Sequence, residues 1–84
     1  MTTQAAMIKG YTREIELTDG VYNLHLLVKE DTDIEGTFKS WCLDDNEWLS
    51  VNGWTLWIDD EKEYSLPIYD DKEEARAFGF TSLD

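Results

Sequence analysis

Six consecutive residues, Asp31-Thr32-Asp33-Ile34-Glu35-Gly36, place oxygen donors at alternate positions ahead of a glycine. A calcium loop of the EF-hand kind begins this way, with acids that wrap the cation and a glycine that turns the chain. The pattern then stops. Cys42 stands where the loop's closing bidentate glutamate is needed, and no helical pattern flanks the segment. It reads as an acidic hairpin loop, with weak divalent-cation binding as an alternative.

Other chemistry is thinner still. His25 is the single histidine and Cys42 the single cysteine, and a zinc site takes about four such ligands. No serine or cysteine has an arguable base and orienting partner. Carboxylates are so frequent that any two of them prove nothing about acid–base catalysis. There is no glycine-rich phosphate loop, and Lys9, Arg13, Lys29, Lys39, Lys62, Lys72 and Arg76 are scattered, whereas phosphate neutralisation needs clustered bases. The expectation is a protein that is not an enzyme, takes no cofactor or metal, and binds neither nucleic acid nor membrane directly.

The carboxylates are informative as a field. Nineteen acids against seven bases give a formal charge of −12 over 84 residues. They fall in clusters: Glu30, Asp31, Asp33 and Glu35; Asp44, Asp45 and Glu47; Asp59, Asp60, Glu61 and Glu63; Asp70, Asp71, Glu73 and Glu74. Such a field repels nucleic acid and anionic membrane and attracts basic surfaces. The plainer alternative is that the charge serves solubility alone.

A chain this short makes one domain, residues 1–84, with residues 1–6 expected to be frayed. A lone cysteine closes no internal disulfide, so no oxidising compartment is required. The first residues lack a basic region followed by an apolar run, so no signal peptide is expected. No window approaches the roughly 18 apolar residues of a membrane span. The expected location is cytoplasmic, in the host cell if the chain is phage-encoded.

The elements that would hold these residues read as α+β: an antiparallel sheet of about five to six strands with one short C-terminal helix. Residues 13–17 alternate acids with Ile15 and Leu17. In 21–29, Tyr22, Leu24, Leu26 and Val28 share one face, and His25 lies on the other. Residues 37–43 form a third strand. Asn52-Gly53 between apolar runs specifies a two-residue type I′ hairpin. It would pair Val51 with Trp54 and Trp48 with Trp57, and put Leu49, Val51, Trp54, Leu56 and Ile58 on one face. A tight turn at Asp45-Asn46, pairing Leu43 with Trp48, would bring Trp41 to the face of Trp48 and Trp57. Phe38 and Cys42 would join the opposite face. A short helix over 45–51 is the competing reading. Residues 63–69 form a further strand, at an edge because of Pro67. Asp70 would cap a helix over 71–78, with Glu73 completing its box, Ala75 and Phe78 toward the sheet, and Gly79 at its end.

In an up-and-down sheet the loops at Asp19, 44–47 and 59–63 fall at one end. Those at 30–35 and 70–74 fall at the other, with the Asn-Gly turn. The candidate partner-binding residues are therefore Asp44, Asp45, Glu47, Asp59, Asp60, Glu61 and Glu63, with Trp41, Trp48 and Trp57 as aromatic anchors. Small size, acidity and an aromatic sheet resemble in type the small inhibitor proteins of phages and mobile elements, among them anti-CRISPR, anti-restriction and host-polymerase inhibitors. The passage from residues 64–69 into 71–78 resembles a strand-to-helix step in a phage inhibitor of bacterial RNA polymerase. The resemblance implies a binding protein, in some cases a DNA mimic, that blocks a basic, nucleic-acid-binding surface. The alternatives are a homodimer or assembly component, and a tryptophan face that is packed against the N-terminal segment or against a second copy.

Overall fold

A computed structural model describes residues 2–18, 23–58, 64–65 and 71–84. In chain order the elements are α1 (Thr3–Ile8), β1 (Tyr11–Thr18), β2 (Asn23–Lys29), β3 (Thr37–Cys42), β4 (Glu47–Asn52), a 3-10 turn (Gly53–Thr55), β5 (Trp57–Ile58), β6 (Tyr64–Ser65), α2 (Lys72–Phe78) and β7 (Phe80–Ser82). The strands form one sheet in the order β5-β6-β1-β2-β3-β4-β7. The fold is mostly sheet with two short helices, and the sheet is mixed. β1 through β4 are joined in antiparallel succession, but β6 lies parallel to β1, with Leu17 opposite Tyr64. Parallel pairing demands a crossover, and the chain supplies it by leaving β4 at one side of the sheet and pairing β6 at the other.

Each face of the sheet carries an apolar cluster. Ile15, Leu17, Leu24, Leu26, Val28, Phe38, Cys42, Leu49 and Val51 form the larger cluster, closed by Ile34, Ala75 of α2 and Phe80. Side chains such as Leu17 and Leu26 each contribute about 1.5–3 kcal/mol by leaving water. On the opposite face Leu27, Trp41 and Trp48 gather under Ala6 of α1. The period-two alternation thus puts Phe38 and Cys42 with Leu49 and Val51, and Trp41 with Trp48, as expected.

Residues 2–8, expected in part to be frayed, are ordered. Thr2 caps α1, its hydroxyl accepting from the Ala5 amide at 3.2 Å. Gly10, at φ +100°, turns the chain out of the helix into β1. Trp41 donates its ring N–H to the Thr3 hydroxyl at 3.0 Å, fastening the helix to the sheet.

Five local expectations are corrected. Asn52-Gly53 is not a hairpin turn: Asn52 has φ −91° and caps the 3-10 turn. β4 pairs with β3 and with β7, while Trp57 faces Ser65. The β3–β4 turn is longer than two residues: Cys42 pairs with Glu47 and Trp41 with Trp48, and Asn46 takes φ 50°. That shift is even-numbered, so no side chain changes face. The helix reading of 45–51 falls with it. In α2 the cap is Asp71 and not Asp70, because the helix begins at Lys72, and the Asp71 carboxylate accepts from the Glu74 amide at 2.7 Å. Ala75 is buried as expected, but Phe78 is 63% exposed. The edge placement of Pro67 and the turn at 19–20 lie outside the described residues.

Candidate interaction surface

The cluster at 44–47 is bound up in the fold. The Asp44 carboxylate accepts from the His25 amide at 3.3 Å. Arg76, projecting from α2, donates to Glu47 at 2.7 Å and reaches Asp45 at 3.5 Å. The Ser82 hydroxyl donates to the other Glu47 oxygen at 3.1 Å. These acids close a turn, pin a helix and hold the C-terminal strand. Arg76 also draws α2 toward this turn, whereas the acids at the start of α2 were expected at the other end of the sheet.

Trp41 and Trp48 do not form an exposed patch. They are 1% and 7% exposed, and their rings meet edge to face at 5.1 Å. The physical reason is α1, which covers them with Ala6. Tyr11 packs edge-on against Trp48 at 4.8 Å. Lys39 and Lys9 stand over the Trp48 ring at 4.4 and 5.9 Å, and Lys29 over Tyr11 at 5.4 Å. Asp59, Asp60, Glu61 and Glu63 lie outside the described residues, as does the side chain of Trp57. The strands that flank 59–63, β5 and β6, occupy the edge of the sheet away from β4.

A different surface emerges around the loop at 30–35. Glu30, Asp31, Asp33 and Glu35 are exposed, while Ile34 plugs the core between them. The Asp33 carboxylate accepts from the Glu35 amide at 3.0 Å, and the Thr12 hydroxyl donates to Glu30 at 3.1 Å. Among the described residues no lysine or arginine forms an ion pair with these four carboxylates. Against this loop lies the 3-10 turn. The Gly53 amide donates to the Gly36 carbonyl at 2.8 Å. Asn52 accepts from the Trp54 amide through its side chain at 3.1 Å and from the Thr55 hydroxyl through its carbonyl at 2.7 Å. Trp54 directly follows the glycine that is bonded to the acidic loop, and its side chain is 78% exposed. The Asn52 amide also donates to the Gly79 carbonyl at 3.0 Å, which brings the end of α2, with Phe78, to the same region.

Reading Trp54 as a strand residue hid this arrangement. The available signal was Asn52 followed three residues later by Thr55, a local capping pattern that competes with the hairpin.

Among the described residues, three further features bear on chemistry. Burial pushes the Cys42 thiol up from 9.0, so it stays protonated at neutral pH and is a poor nucleophile. His25 and Glu16 approach only to 3.9 Å, on an exposed part of the sheet. An open groove of about 530 Å³ runs along β1 and β6, with Arg13, Glu14, Glu16 and Tyr64 in its lining. Such a groove does not exclude water, and desolvation is what tunes carboxylates for acid–base work. Among the described residues no group of three or more His, Cys, Asp or Glu is placed to hold a metal ion, and no helix is long and apolar enough to cross a membrane. Comparison with family models, with curated proteins and with solved structures found no match.

Proposed function

We propose that the chain is a non-enzymatic acidic binding protein that occupies a basic, nucleic-acid-binding surface of a partner protein, as the small phage-type inhibitors do. The observation that carries this reading is that, among the described residues, the exposed acids at 30–35 are in no ion pair with a lysine or arginine, although Arg13 donates to the Thr32 carbonyl of the same loop at 3.3 Å. Lys9, Lys29 and Lys39 are gathered over the aromatic rings of the α1 face, and Arg76 is spent on Glu47. The exposed acids at 30–35 keep their field, and with a net −12 that field steers basic surfaces toward them. The tryptophan anchors expected from the sequence are moved: Trp41 and Trp48 belong to the core, and a homodimer would have to use another face.

The test is competition. A basic protein retained on the immobilised chain at low salt is expected to be released by duplex DNA, and the chain is expected to displace DNA from that protein. A retained protein that holds chain and DNA together contradicts the reading.

A further inference from the structure

We infer that Trp54 is the anchor of this surface, and that its ligand is an arginine- or lysine-rich polypeptide segment. The inference rests on the proposed function and gives it a contact point. Trp54 belongs to neither apolar cluster, so core packing does not account for its place. Among the described residues it is the largest side chain left mostly in water, at 78% exposed, with Phe78 at 63%.

Its position is set by backbone, not by chance. Asn52 caps the turn on one side, and the Gly53 amide is bonded to the acidic loop on the other. A partner that covers the indole need not also order the turn beneath it. Tryptophan is also the best aromatic face for a cation.

The occupant follows from charge. The loop that receives Gly53 carries Asp31, Asp33 and Glu35, all exposed. An apolar or anionic segment would have to desolvate or oppose these carboxylates. A guanidinium or ammonium can stack on the indole while a neighbouring base of the same segment pairs with Asp31 or Glu35.

The experiment titrates a labelled arginine homopeptide of about ten residues against the full chain and follows anisotropy. Near-UV circular dichroism confirms that each variant is folded. Trp54→Ala is expected to weaken binding on the order of tenfold, and Trp54→Phe by less, because phenylalanine keeps a weaker cation-binding face. Asp31→Asn with Glu35→Gln is expected to weaken binding and flatten its dependence on salt. If Trp54→Ala binds within twofold of the wild type while the carboxylate variant is impaired, the anchor is wrong and the charge reading survives. If the wild type binds no peptide, both fall. If Trp54→Ala converts a sedimenting dimer into a monomer, Trp54 is a self-association contact and the inference is overturned.

Discussion

Gly53→Ala is expected to cost at least about 3 kcal/mol of stability, among the largest effects of any single substitution in this chain. A Cβ at Gly53 would lie 1.8 Å from the Ile34 carbonyl oxygen and 2.5 Å from that of Gly36. Both obstacles are backbone. Neither moves cheaply, because Ile34 is seated in the larger cluster and the Gly36 carbonyl is the acceptor of the Gly53 amide. A domain of this size has roughly 4–13 kcal/mol of total stability, so the loss is a sizeable fraction of it. Gly10→Ala is the useful comparison. Nothing lies within 4 Å of its Cβ, and the only penalty there is the positive φ of +100°. Urea unfolding of the two variants checks the claim, and a Gly53→Ala protein within about 1 kcal/mol of the wild type would refute the close approach.

The second large effect is expected at Trp41. Removing a fully buried tryptophan to alanine costs about 3–5 kcal/mol through lost transfer and the cavity left behind. Here the loss is compounded. Trp41 stacks edge-on with Trp48, lies under Ala6 and donates to Thr3. A helix of six residues has no stability of its own, so α1 depends on this contact. Trp41→Ala is therefore expected to lower the unfolding midpoint and also to abolish hydrogen-exchange protection at the Ala6 amide, which bonds to Thr2 at 3.1 Å. Unchanged protection at Ala6 would show that α1 is held by something other than the tryptophan.

Much of the sheet was legible because period-two patterning is local and survives errors of pairing. Ile15 and Leu17, the Leu24-Leu26-Val28 row, and the separation of Phe38 and Cys42 from Trp41 all follow from alternation alone. What was not legible depended on distant partners. Asn52-Gly53 carries the strongest hairpin signal in the chain, yet Gly53 is used to let two backbones touch, and Asn52 is used as a cap. The residues that override the local signal, Ile34 and Gly36, lie well upstream and declare nothing of it in sequence. With the hairpin gone, β4 takes the C-terminal strand as its neighbour, β5 goes to the far edge, and Trp54 is left in water. Cover of Trp41 and Trp48 by the N-terminal segment was one of the alternatives the sequence left open, but its helical form was not legible, since residues 2–8 contain a single buried alanine. The acids at 44–47 were legible as a cluster, but their pairing with Arg76 was not, because Arg76 is distant in sequence and close only in space.

The central claim is that the exposed acids serve a basic partner. It is tested most directly by the rate at which the chain associates with its captured partner as salt is raised. Steered association is expected to slow by on the order of tenfold or more between low and moderately high ionic strength, with dissociation little changed. An association rate independent of salt would contradict the account, because it would mean that the charge of this chain plays no part in finding what it binds.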